Sequence, residues 1–150
     1  MSKSVSKSKA RAAARLAAVQ ALYQFEMEGT PQASLLDEFH RHRLGMEIDD
    51  DQFAEAEVAF FDDVVKGVLA RREEIDALLS SKLATGWTLA RLDRTLVQIL
   101  RCGAYELLAR PDVPTGTAIS EYLDVAHAFF DAREKKFTNG VLDAVAKQVR

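Results

Sequence analysis

Apolar residues recur along the chain at three- and four-residue steps, and no segment alternates with the period of two that a half-buried strand shows. Residues 9–27 lack glycine and proline and are rich in alanine, with Leu16, Val19, Tyr23 and Met27 spaced along one helical face. Gly29-Thr30-Pro31 ends this stretch. A second helix is predicted from Gln32 to Leu44 with Leu35, Leu36 and Phe39 inward. Gly45 and the acidic run Glu47–Asp51 read as a loop. One of Asp49, Asp50 or Asp51 is placed to cap the next helix, where a carboxylate meets free N–H groups and the positive helix end.

The third helix is predicted as one long element from Asp51 to Leu83, on the spacing of Phe53, Phe60, Phe61, Val64, Val68, Ile75, Leu78 and Leu79. Gly67 inside it marks either a close helix contact or a tolerated weak point. Ala84-Thr85-Gly86 breaks the pattern, and a second half opens at Trp87. There a helix from Leu92 to Arg110 carries the stripe Leu92, Leu96, Ile99, Leu100, Gly103 and Leu107, and Pro111 to Pro114 ends it. The next helix, Thr115 to Phe130, presents Ile119, Leu123, Ala126 and Phe130. A charged connector, Asp131 to Lys136, leads to a last helix built on Phe137, Val141, Leu142, Val145 and Val149.

Composition supports an all-α fold. Only 7 Gly and 3 Pro among 150 residues leave few turns for strands, while 48% hydrophobic residues can fill a core. Six or seven helices are expected in two small bundles within one domain, 1–150: a flexible basic tail at 1–8, a first helical part at 9–84 and a second at 87–150. With Cys102 the one cysteine, no internal disulfide can form, and a cytoplasmic setting is expected. No apolar run reaches membrane-spanning length, so no membrane association is expected. The basic start, Met1 to Lys9, lacks the apolar segment of a secretory signal.

The net charge of −3 hides an asymmetry. Lys3, Lys7, Lys9, Arg11 and Arg15 all precede the first acid, Glu26, whereas the remainder is acidic. A basic arm on an acidic body favours a polyanion at one end.

Catalysis has no footing in these residues. His40 and His42 are two apart on a helix and point to different sides, so with Glu38 they make a poor chelate, and no metal is expected. Cations near a helix C-terminus suit its negative dipole, which explains His40 to Arg43 as a solvated helix end. Cys102 sits in an apolar helix and reads as core. Nucleophile-elbow, phosphate-loop and dinucleotide motifs are absent, and no cofactor is expected. RNA binding has better support. Lys7, Lys9, Arg11 and Arg15 can grip phosphates, the two arginines lying one turn apart. Lys135, Lys136 and Phe137 join cations to an aromatic ring, the pairing that holds single-stranded RNA. Core packing fits Phe137 equally well.

Four segments together resemble the NusB family of bacterial transcription antitermination factors. They are Arg11-Ala-Ala-Ala-Arg15-Leu-Ala-Ala-Val-Gln-Ala-Leu-Tyr-Gln24; Trp87-x-Leu89-x-Arg91 with Ile99-Leu-Arg-Cys-Gly-Ala-Tyr-Glu-Leu107; Asp112-Val-Pro114 leading to Ile119-Ser-Glu-Tyr122; and Lys136-Phe-Thr-Asn-Gly-Val-Leu-Asp143. The resemblance implies two three-helix subdomains and no enzymatic activity. It also implies pairing with NusE, a small-subunit ribosomal protein. The pair would bind boxA single-stranded RNA in nascent ribosomal RNA transcripts and, with other Nus factors on the elongation complex, help polymerase pass terminators.

By position, Arg11, Arg15, Lys136 and Phe137 match the family's RNA-contacting residues, and Tyr23 matches a tyrosine at the NusE contact. The chain departs from the family in four places. The opening arginine run is thinned to Ala12, Ala13 and Ala14, so charge moves to the lysine tail. Leu96 stands five residues before Arg101, near the NusE contact, where many members carry an acid, with Asp93 three residues earlier; with Tyr23 these two are the residues expected at that contact. Phe130 and Thr138 replace a common glycine and valine. Asn139 and Gly140 belong to the signature but read as structural, Asn139 bonding backbone near a helix start and Gly140 permitting close packing; Glu106 and Glu121 read as helix-end or interhelix hydrogen-bonding groups. Two rivals are a ribosomal RNA cytosine methyltransferase, whose opening domain is similar but which needs a following nucleotide-binding domain, and a self-associating module whose homodimer would cover the basic helix.

Overall fold

The structure, a computed structural model, describes residues 3–44 and 51–150. The loop read at Gly45 and Glu47–Asp50, the choice of capping aspartate and the side chain of Phe53 lie outside the described residues. Those residues form seven α-helices and one 3₁₀ turn, with no strand among them: α1 (Lys3–Glu28), α2 (Gln32–His42), α3 (Asp51–Ala70), α4 (Arg72–Ser80), the 3₁₀ turn Leu89–Arg91, α5 (Arg94–Ala109), α6 (Thr115–Phe129) and α7 (Ala132–Val149). The chain divides into two compact units, residues 1–66 and 67–150. The division falls between Lys66 and Gly67, inside α3, and not at Ala84–Gly86 where the sequence pattern breaks.

The first unit holds α1, α2 and most of α3. The helix α1 is already formed at Lys3, so residues 3–8, read as a tail, continue it. Its buried face is not the line of large apolar residues. Ala10, Ala14, Ala17, Ala18, Val19, Ala21 and Leu22 are buried, whereas Tyr23 and Met27 are exposed. Alanine methyls let neighbouring elements approach the helix closely, so small residues do the packing. Gly29, at φ +70°, ends α1, and its N–H donates to the Phe25 carbonyl at 3.1 Å. The helix α2 buries Leu35, Leu36 and Phe39, as its spacing predicts. Phe39 stacks on Phe61 of α3 with centroids 5.5 Å apart, and His40 Nε2 lies 2.6 Å from Asp62 Oδ1. His40 therefore belongs to the α2–α3 contact, whereas Arg41 and His42 are the solvated helix end.

The second unit packs α4, α5, α6 and α7, with α5 in contact with each of the other three. The predicted single helix from Asp51 to Leu83 is interrupted at Arg71 (φ −112°, ψ 21°), whose guanidinium instead grips Glu74 through two hydrogen bonds of 2.8 and 2.9 Å. Gly67 is a close contact, since a Cβ there would fall inside the Tyr105 ring. Gly103 is another, with Leu142 of α7 against it. Asp93 caps α5, accepting from Thr95 N at 2.8 Å and Leu96 N at 3.2 Å. In α6 the buried stripe runs through Ala118, Tyr122, Val125 and Ala126, displaced from the predicted Ile119, Leu123 and Phe130. Polar chemistry causes the offset: the Tyr122 hydroxyl donates to Glu106 of α5, both wholly buried. That bond realises the interhelix role expected of Glu106. The predicted connector Asp131–Lys136 is helical from Ala132, so Lys135 and Lys136 sit in the first turns of α7.

Cys102 is fully buried in α5, and burial pushes its thiol well above the ordinary value, reinforced by Glu106 and opposed by Arg101. A thiol held protonated in the folded state contributes stability below the unfolded thiol's value and loses it as pH rises beyond that value. Native protein should therefore resist alkylation at neutral pH and label fully once unfolded. Its stability should decline in the alkaline range, and Cys102→Ala should flatten that decline. Rapid labelling of native protein by a thiol reagent would contradict this burial.

Candidate nucleic-acid interface

The two cationic elements read from the sequence lie in different units. In the first, Lys7 and Lys9 project from the start of α1 and are exposed, with no acidic partner among the described residues. Arg11 is half-buried, and Arg15 is only 2% exposed. Both guanidinium carbons lie 4.9 Å from the centroid of the Phe60 ring on α3. The two arginines do share a side of α1, as their four-residue spacing requires. Arg15, however, is part of the packing of this unit and offers phosphates almost no surface. A cation read from spacing as solvent-facing is thus an interior group, because α3 presents an aromatic ring and the buried Glu57 on its inner face.

Beside these cations runs a groove of about 380 Å³ floored by Ala12, Ala13, Leu16 and Ala17 of α1 and edged by Lys9 and Arg43. Arg43, read only as part of a helix end, lies with its guanidinium carbon 4.9 Å from the Phe39 centroid and donates through Nη2 to Gln20 Oε1 at 3.1 Å. Neither Arg43 nor the seat that Phe60 gives Arg11 and Arg15 was legible in the spacing, since both depend on contacts between helices.

In the second unit, Lys136 is exposed on α7, and Lys135 and Phe137 are half-buried. Phe137 thus keeps one part in the packing and leaves another in solvent. The next residue, Thr138, is wholly buried and donates to the Glu134 carbonyl at 2.8 Å. Asn139 and Gly140 contradict their structural reading. Asn139 is exposed in mid-helix with no side-chain hydrogen bond among the described residues, and a Cβ at Gly140 would meet nothing within 4 Å. Lys136, Asn139 and Gly140, spaced by three and four, form an open strip on one face of α7.

Of the predicted partner-binding residues, Tyr23 is 40% exposed and available. Asp93 is exposed but its carboxylate is committed to capping α5. Leu96 is 5% exposed and belongs to the core, as an apolar side chain in the first turn of a packed helix should. Arg101, also buried, grips Asp76 of α4 through hydrogen bonds of 2.8 and 2.9 Å. Among the described residues no group of three or more His, Cys, Asp or Glu could hold a metal ion, and no helix is long and apolar enough to cross a membrane.

Comparison with known proteins defines the class. The model of the NusB family matches residues 12–147. The transcription antitermination protein NusB of Novosphingobium aromaticivorans is 73% identical over 142 residues, covering 95% of this chain and 96% of that protein. Its counterpart in Rhizobium rhizogenes is 48% identical, covering 93% of this chain and 88% of that protein. Thermotoga maritima NusB superposes with a TM-score of 0.75 at 30% identity over 92% of this chain and 91% of that one. A NusB crystallised with NusE and double-stranded RNA superposes at 0.74 with 25% identity, over 93% and 98%. The fold and the relatives thus define a helical transcription antitermination factor and not an enzyme. The chain belongs to the NusB family.

Proposed function

We propose that this protein binds single-stranded boxA RNA in nascent ribosomal RNA transcripts, together with NusE, and so helps polymerase pass terminators. The observation that carries the reading is the set of exposed cations Lys7, Lys9 and Lys136, none paired with an acid among the described residues, one of them beside the half-exposed ring of Phe137. Unpaired surface cations on an otherwise acidic chain neutralise phosphates, and a ring beside one of them accepts a stacked base. Arg11 supplies a further cation from its seat on Phe60. The NusB crystallised with NusE and RNA supports the pairing, and the exposed Tyr23 is the residue assigned to the NusE contact. NusE would extend the RNA surface and raise the affinity of two weak half-sites. The assembly would act in the cytoplasm with other Nus factors on the elongation complex.

Titration of boxA RNA with and without NusE tests this directly. Lys136→Glu and Arg11→Glu should each weaken binding, and each should flatten the dependence of log affinity on log salt by about 0.7 per lost phosphate contact. Phe137→Ala should cost about 1–3 kcal/mol of binding while leaving the salt slope unchanged. Parent-like affinity in all three variants would remove these residues from the RNA contact.

A further inference from the structure

Resting on the RNA reading above, we propose that the groove beside α1 carries the RNA strand onward from Lys9, with a base lying on the alanine floor and a phosphate held by Arg43. The floor is unusual for a charged helix face. Lys9, Ala12, Ala13, Leu16 and Ala17 stand at positions i, i+3, i+4, i+7 and i+8, so one continuous stripe runs about 12 Å along the helix. Single methyl groups leave a flat aromatic base free to approach the helix closely, and the half-buried Leu16 gives it an apolar edge.

Arg43 closes this stripe from the end of α2. The buried Phe39 ring supports its guanidinium from one side, and Gln20 takes one of its N–H groups. It has no acidic partner among the described residues, so most of its donor fork remains available. An arginine oriented in this way loses little freedom on meeting a phosphate. Among the described residues the one acid lining the groove, Glu57, is 3% exposed and presents little negative surface. With Lys7 and Lys9 leading into one end and Arg43 at the other, the charge of the groove complements a polyanion. The methyl floor suits a base rather than an acidic side chain, which favours RNA over an acidic protein segment.

Two variants test the groove separately from RNA binding as such. Arg43→Ala should bind boxA RNA roughly tenfold more weakly, as expected for loss of a charge-assisted hydrogen bond, and its salt slope should fall by about 0.7. Ala13→Leu, which fills the floor and keeps every cation, should weaken binding severalfold without changing the slope. Because leucine is nearly as good a helix former as alanine, Ala13→Leu remains informative if Arg43→Ala melts early. Parent-like RNA binding by both variants, with Lys136→Glu still impaired, would overturn the groove assignment and leave the RNA reading intact. Failure of the parent protein to bind RNA would overturn both. Weakened NusE binding with unchanged RNA affinity would make the groove a protein contact and would equally overturn the proposal.

Discussion

Arg15→Ala should unfold the protein at a temperature lower by roughly 10 °C, and should leave the salt dependence of RNA binding almost unchanged when both proteins are measured well below their melts. The sequence offers Arg15 as an RNA contact, but its side chain is 2% exposed over the Phe60 ring. A desolvated cation–π contact contributes about 2 kcal/mol, and the aliphatic stem of a buried arginine adds packing. The substitution also removes positive charge from a unit that buries the carboxylate of Glu57, which lies three residues before Phe60 on the same face of α3. A total near 3 kcal/mol is therefore expected, and a chain of this size loses about 2–4 °C per kcal/mol. Arg15→Lys should recover only part of it, because an ammonium cannot lie flat on a ring. Arg11→Ala should behave in the opposite way, with a small change in melting and a clear loss of RNA affinity. A normal melt with lost RNA affinity for Arg15→Ala would return that residue to the interface.

This contrast shows where the sequence stops informing. Spacing places Arg11 and Arg15 on one side of α1, and they are there, but spacing within one helix says nothing about which neighbour covers that side. The same reason hid the alanine face of α1. Large residues dominate a hydrophobicity pattern, whereas close helix packing selects small ones, so Tyr23 and Met27 looked like core and are surface. Boundaries with chemical punctuation were legible: Pro31 before α2, Gly29 after α1 and Pro111 after α5 stand where the helices stop or start. Boundaries without it were not. The break at Arg71 has neither glycine nor proline, and the start of α7 lies among charged residues that suit a helical first turn as well as a connector. Among site residues, the exposed Lys7, Lys9 and Lys136 could be read because a short run of charge is usually solvated. Arg43 could not, since its orientation comes from Phe39 beneath it and Gln20 of another helix. Asn139 and Gly140 point the same way. A signature motif suggested packing, yet both are open on α7 next to Lys136 and Phe137.

Glu106→Ala is the substitution expected to damage the second unit most. Glu106 is wholly buried on α5 and accepts the Tyr122 hydroxyl proton from α6, which is equally buried. Truncation leaves that hydroxyl without its acceptor and opens a cavity between two packed helices. An unsatisfied buried polar group costs about 1–3 kcal/mol, and a cavity adds to it, for about 3–4 kcal/mol in all. Glu106→Gln keeps an acceptor at the same reach and should cost about 1 kcal/mol. Tyr122→Phe removes the hydroxyl donor from the buried carboxylate, whereas Glu106→Leu combined with Tyr122→Phe removes both polar ends of this hydrogen bond. The double variant should therefore be more stable than the sum of its single changes predicts. Urea unfolding of the parent, Glu106→Leu, Tyr122→Phe and the double variant measures the coupling directly, and additive losses would show that the hydroxyl and carboxylate do not depend on each other. The consequence reaches the proposed RNA element because α7, which carries Lys136 and Phe137, packs on both α5 and α6. Loosening the α5–α6 seam should weaken RNA binding only as the unit begins to unfold, with an unchanged salt slope below that temperature. A residue that touched RNA itself would instead lose affinity at every temperature.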